Sequence, residues 1–199
     1  MKYKEDDLRN NLDFSRYSDD EIYLNLKKYS QQLKGGEDIS WQPGMEKEVV
    51  CQGDVLTELD FFTNKLELKK STGMVFSHTC DIALENSQRF PVNMVYGRII
   101  SFEKFVNYLK EKGKYNEDAM NSIKRQENKL ILFLPKSLKL KEDSIVLLDR
   151  VNSVNNIAYK REDLSVKRLY SLNQLGRWIL LMKLRFLYTR LNEADLNRA

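Results

Sequence analysis

Apolar positions change their spacing several times along the chain, and each change marks an expected element. Ser18-Asp-Asp-Glu21 has the form of a capping box, and Ile22, Leu26, Tyr29 and Leu33 then fall on one face before Gly35-Gly36, which predicts a helix with one narrow apolar stripe. Residues 36–47, with Trp41, Pro43 and Gly44, read as a connection. From Val49 to Leu59, β-branched residues flank Gly53-Asp54, predicting two short extended pieces around a bend, and residues 60–72 follow as a polar hairpin arm carrying Leu66 and Leu68. Gly73-Met-Val-Phe76 is a compact apolar run with no helical period, the pattern of a buried strand. Val92, Met94 and Tyr96 alternate with polar neighbours after Pro91, which predicts a half-buried strand over 89–100.

Ser101 caps an expected helix that carries Phe102, Phe105, Val106 and Leu109 on one side and ends at Gly113. A second helix over 116–128 has only Ala119, Met120 and Ile123 to bury. Residues 129–135 and 144–149 are two apolar strands, with Leu138 and Leu140 alternating between them, and residues 152–160 form a turn-rich connection. The strongest helical pattern comes last. With Ser171 as cap, Leu175, Trp178, Ile179, Met182 and Phe186 make one stripe, while Arg177, Lys183, Arg185 and Arg190 lie largely outside it.

Strands and helices in this order predict an α+β chain. With 199 residues, 42% of them hydrophobic and 31% charged, the composition supports one sizeable core and excludes a disordered chain. The expected organisation is one globular domain: a tail and capped helix over 1–48, a β core over 49–150 with a helical insertion at 101–128, and a connection plus helix over 151–199. The first residues are charged and no apolar run approaches a membrane span, so a cytoplasmic protein without membrane contact is expected. A net charge of +4 permits a nucleic-acid partner without demanding one. Cys51 and Cys80 lie far apart in a chain without an export signal, which argues against a structural disulfide.

Candidate chemistry gathers where the apolar run 73–76 surfaces. Ser77-His-Thr-Cys-Asp81 holds the only histidine, one of the two cysteines and a carboxylate. Zinc accepts all three groups and Cys51 would make a fourth, but adjacent positions 80 and 81 point to opposite faces of a strand, so no metal is expected. Cys80 as a nucleophile would need His78 in reach, and an extended strand separates their Cβ atoms by roughly 6–7 Å; a turn would close that gap, and a buried inert thiol is the alternative. Lys110, Lys112, Lys114, Lys124 and Arg125 crowd a segment with Tyr108 and Tyr115, and Lys167, Arg168, Arg177, Lys183 and Arg185 crowd the C-terminal part. Such mixtures suit RNA or single strands, and equally suit solvated helix faces. No glycine-rich phosphate loop is present and no cofactor is expected.

Gln52-Gly-Asp-Val55, followed by Gly73-Met-Val-Phe-Ser77 and an alternating strand, resembles the opening of the MazF/PemK toxin family. That resemblance covers residues 50–100 and implies a small, strongly bent β-barrel that commonly dimerises, acts in the bacterial cytoplasm and cleaves RNA. Gln52-Gly-Asp-Val55 with Val75-Phe-Ser-His-Thr-Cys-Asp-Ile82 is more closely similar to uncharacterised bacterial proteins bearing a Ser-Gln-Thr-Cys-Asp signature, some tied to mobile or defence loci, with His78 in place of the Gln. The chain has Ser71-Thr-Gly73 where the toxins carry Arg-Pro, so Arg89 or Arg98 would have to supply the cation at the scissile phosphate. The resemblance implies a toxin-like or phage-defence protein contacting RNA or DNA, endoribonuclease-like if catalytic. Asp54, Cys80, Asp81 and Arg89 would act on substrate, and Gln52, Ser77, His78, Lys124 and Arg125 would bind it. The rival expectation is a non-catalytic barrel that serves a protein complex or homodimer, with the Ser-x-x-Cys-Asp turn only securing the strand exit.

Overall fold

Alternation of β-branched and aromatic residues is realised as six antiparallel strands in a computed structural model that describes residues 50–62, 67–83, 92–137, 140–156 and 166–188. The strands are β1 (Asp54–Phe62), β2 (Leu68–Val75), β3 (Asn93–Ser101), β4 (Ile131–Leu134), β5 (Ser144–Asn155) and β6 (Arg168–Ser171), in the order β4-β5-β3-β2-β1-β6. The helices are α1 (Thr79–Ile82), α2 (Phe102–Glu111), α3 (Glu117–Lys124) and α4 (Gln174–Tyr188). The helix expected after Ser18, Arg89 and Pro91, Leu138 and Arg190 lie outside the described residues.

The α+β expectation holds, but the closed barrel does not form. The sheet is open, with β4 and β6 as its edges. α4 supplies the physical reason. Its apolar side chains Leu175, Trp178, Ile179, Leu180 and Met182 pack in one cluster with Leu132 and Leu134 of β4, Val146 and Leu148 of β5, Val55 of β1 and Tyr170 of β6. A helix laid across that face fills the space that direct pairing of the two edges would require. On the other face, Leu56, Leu59, Phe61, Val75, Met94 and Tyr96 form a second cluster that Ile82 of α1 covers, and Phe133 and Ile145 pack beneath Phe102, Met120 and Ile123 of α2 and α3. Successive strand residues serve opposite faces, as the pleat demands.

Bending is nevertheless strong. The β1–β2 register shifts between Leu56 and Leu59, and Glu58 sits there at a left-handed φ of 58°. Beyond this bulge β1 swings over the sheet, so that Tyr96 donates its hydroxyl to the Asp60 carbonyl at 2.6 Å and stacks edge-on against Phe61 at 5.1 Å. Gly73 permits the swing: a Cβ there would lie 2.8 Å from the Phe61 ring and 3.0 Å from the Gly97 carbonyl oxygen.

Among the helices, Ser101 caps α2 by accepting from the Lys104 amide, and Asn116 caps α3 by accepting from the Ala119 amide at 2.8 Å. Ser171, expected as the cap of the last helix, is the final residue of β6 instead, and Asn173 accepts from the Gly176 amide at 2.8 Å. β6 itself was not expected. No helix among the described residues is long and apolar enough to cross a membrane.

Candidate functional site at one end of the sheet

The start of β1, the exit of β2, the start of β3, the end of β5 and the end of β6 converge at one end of the sheet. The start of β1 is set by a tight turn. The Asp54 amide donates to the Cys51 carbonyl at 3.0 Å while the Cys51 amide donates to Asp54 Oδ2 at 2.8 Å. Gly53 takes φ +86°, and its missing side chain admits Leu172 and Arg177, whose atoms would lie 3.1 and 3.3 Å from a Cβ.

The Asp54 side chain is fully buried. Its Oδ1 accepts from the Ser171 hydroxyl at 2.5 Å and its Oδ2 pairs with Arg168 Nε at 3.0 Å. Burial pushes the carboxyl above its ordinary range, and the Cys51 amide, the Ser171 hydroxyl and the Arg168 and Arg177 guanidiniums pull it back. Both oxygens are thus engaged by groups that join β1 to β6, and the carboxylate faces no solvent.

At the exit of β2, Phe76 and Ser77 both donate their amides to the Val95 carbonyl, at 2.8 and 3.3 Å. The Ser77 hydroxyl accepts from the Val95 amide at 2.7 Å and donates to the Asn93 carbonyl at 3.4 Å. Gln52 spans to the same exit, donating its side-chain amide to the Phe76 carbonyl at 2.5 Å and its main-chain amide to Thr79 Oγ1 at 3.4 Å. The chain does not continue as a strand past Ser77, so His78 and Cys80 do not share a strand face. Instead His78 caps the single turn of α1, its Nδ1 accepting from the Cys80 amide at 3.3 Å. His78, Cys80 and Asp81 are exposed, whereas Cys51 and Gln52 are half-buried.

The sheet end therefore gathers Gln52, Asp54, Ser77, His78, Cys80 and Asp81, along with Cys51. Arg89 lies outside the described residues. Arg98 donates from Nε to the Ser71 hydroxyl at 3.2 Å, two registers back along β2 and β3. Among the described residues no three His, Cys, Asp or Glu side chains are grouped to hold a metal ion.

Lys124 and Arg125 lie elsewhere, at the C-terminus of α3 beside the β4 edge. The Lys124 ammonium sits over the Phe102 ring at 5.3 Å, and Arg125 forks Glu127 through two 3.0 Å bonds, so both charges are partly spent within the chain. The α2–α3 turn is a third exposed region. Tyr108 and Tyr115 are 55% and 41% exposed, with the ammoniums of Lys112 and Lys110 over their rings at 5.9 and 5.1 Å. Lys114 completes the group, and Gly113 turns the chain there at φ +65° with open space around it.

Sequence reasoning missed four contributors. Arg168 and Ser171 hold Asp54 from β6, and Asn156, buried at the end of β5, has neither side-chain amide atom hydrogen-bonded. Lys183, assigned to the polar side of the last helix, is fully buried. Its Nζ donates to the main-chain carbonyls of Gln126 and Ile131, each at 2.8 Å, and to that of Asn128. Arg168-Leu-Tyr-Ser171 has no strand alternation to announce β6, and the Lys183 contacts left no signal either. No family model matches the chain, and no curated protein matches it.

Proposed function

We propose that this protein is a toxin-like or defence-associated module that contacts RNA or DNA, with the α2–α3 turn as its contact surface and the sheet end as scaffold. The carrying observation is the exposed group of Lys110, Lys112 and Lys114 around Tyr108 and Tyr115. Ammoniums can neutralise phosphates while ring faces accept unstacked bases. A non-catalytic role is favoured because Asp54 has both oxygens engaged, Gln52 and Ser77 are bonded to main chain, and Lys183 and Arg168 are withdrawn from any basic surface.

Fluorescence anisotropy with labelled single-stranded RNA, single-stranded DNA and duplex tests the reading. Affinity should fall with salt, and the triple variant Lys110→Ala, Lys112→Ala, Lys114→Ala should flatten the log–log slope by about 2, given roughly 0.7 per neutralised phosphate on single strands. Absence of binding at low salt removes the proposal, and cleavage of the probe would restore the nuclease reading.

A second reading, a subunit of a protein complex, is favoured by the hairpin arm. Phe62 and Leu68 are cross-strand partners and are 67% and 57% exposed. Paired exposed apolar side chains at a hairpin end suit a protein contact. Light scattering of wild type against Phe62→Ser/Leu68→Ser tests it through assembly mass: an unchanged monomer in both chains rules out self-association through the arm.

A further inference from the structure

The sheet end also brings the chain's two thiols, remote in sequence, onto loops that are bonded to each other. Cys51 immediately precedes Gln52, whose amide donates to Thr79 Oγ1, and Cys80 immediately follows Thr79. Two further bonds hold the same loops in register, from the Gly53 amide to the Val75 carbonyl at 2.9 Å and from the Gln52 side chain to the Phe76 carbonyl. Standard covalent dimensions across the Gln52–Thr79 bond keep the two cysteine α-carbons within about 12 Å of one another. A disulfide needs about 4.4–6.8 Å. The segment that would close any remaining gap is exposed: past Ser77 the loop is held by α1, one turn long, and Cys80 itself faces solvent while Cys51 is half-buried. Both residues carry thiols in this structure.

We infer that Cys80 and Cys51 form a peroxide-responsive thiol pair, with Cys80 as the sulfur attacked first and Cys51 as the resolving thiol. The Cys80 thiolate attacks one oxygen of hydrogen peroxide, the O–O bond breaks, and the departing hydroxide takes a proton to leave as water, which gives a sulfenic acid. The Cys51 sulfur then attacks the Cys80 sulfur, the S–O bond breaks, and the second oxygen leaves as water with the proton from the Cys51 thiol. In sum two thiols lose two electrons and two protons, and one peroxide is reduced to two waters. The order of events follows exposure, because the peroxide meets Cys80 in solvent. The bond would tie the start of β1 to the exit of β2 and enclose the whole β1–β2 hairpin.

The test uses the unmodified native chain. It is treated with a small excess of hydrogen peroxide, quenched with iodoacetamide and analysed as intact monomer and as non-reduced tryptic peptides. The expected result is a monomer lighter by two hydrogens, neither thiol alkylated, and one peptide pair joining Cys51 to Cys80 that dithiothreitol separates. In Cys51→Ser, dimedone should trap Cys80 as a sulfenic acid; in Cys80→Ser, Cys51 should stay alkylatable at the same peroxide dose. Alkylation of Cys51 in peroxide-treated wild type, progress of Cys80 to sulfinic acid, or a Cys80–Cys80 bond between two chains would each overturn the pairing.

Discussion

Among the described residues two charges are fully buried, Asp54 and Lys183, and they are satisfied by different means. Asp54 has a countercharge: Arg168 Nε at 3.0 Å, backed by a hydroxyl and a main-chain amide. Lys183 has none, and three main-chain carbonyls of residues 126–131 take its three N–H bonds. The first arrangement joins two strands, β1 and β6, at the sheet end. The second joins α4 to the turn between α3 and β4, where Gln126 takes φ +63° and its side chain pairs with the Phe133 amide and carbonyl at 3.1 and 2.6 Å. An ion pair fixes two side chains to one another, whereas an ammonium among carbonyls fixes a loop's backbone shape. The two charges therefore secure the two edges of one open sheet, β6 and β4.

If that distinction is correct, Asp54 is the more sensitive partner to remove. Asp54→Ala leaves Arg168, whose side chain is 12% exposed, without its carboxylate, and should lower the unfolding free energy by on the order of 3–5 kcal/mol. Lys183→Met keeps the aliphatic stem, relieves the desolvated charge and leaves three carbonyls without their donor, so about 2–3 kcal/mol is expected. Urea denaturation at neutral pH ranks the two. The reverse ranking would mean that the carbonyl-held turn, and not the ion pair, dominates the fold's stability.

The two charges should also give opposite pH slopes in separate windows. Burial holds Lys183 down to about 7 from 10.5, against the pull of its three carbonyls. Between those values the unfolded chain binds the proton that the folded chain has released, so stability rises with pH there. Burial raises the Asp54 carboxyl above its ordinary 3.8, so over the window just above that value the folded chain keeps a proton that the unfolded chain loses, and stability falls as pH rises. Melting temperatures of wild type against Lys183→Met across pH 7–10, and against Asp54→Asn across pH 3–6, isolate each slope. A flat difference curve in the alkaline window would show that the carbonyls hold the ammonium at its ordinary pKa.

What the sequence disclosed follows the same division. α2 could be read because everything that makes it is local: Ser101 at the cap, apolar residues at helical spacing and Gly113 at the stop. The turn at Gly53-Asp54 was legible because glycine marks backbone of positive φ that other residues rarely adopt. β6 was not, because its four residues become a strand only by pairing with Asp54 to Leu56, far off in sequence. Lys183 was misassigned for a related reason. A lysine in a helix reads as solvated, and its partners here are main-chain oxygens, which no side-chain pattern announces. At the candidate site, Ser77 to Asp81 was located as the chain's exit from β2, but its shape was not, since a one-turn helix is too short to show a period. The barrel was expected from the resemblance of residues 50–100 to the toxin family, and the packing of α4 across one face of an open sheet is a tertiary fact that those residues do not carry.

The smallest expected effect belongs to the bend of β1, which uses neither buried charge. Glu58 holds φ 58° at the bulge, a region that strains a residue with a Cβ by about 1–2 kcal/mol. Its pairing with Lys167 at 3.4 Å, with the Glu58 side chain 65% exposed, contributes little. Glu58→Gly removes the strain but frees the unfolded chain, which offsets roughly 0.5–1 kcal/mol of the gain. A net stabilisation of a few tenths of a kcal/mol is expected, read as a higher urea midpoint at unchanged slope. A lower midpoint would mean that Glu58 supports the bulge through its side chain, and the bend of β1 would then depend on a surface charge as the sheet edges depend on buried ones.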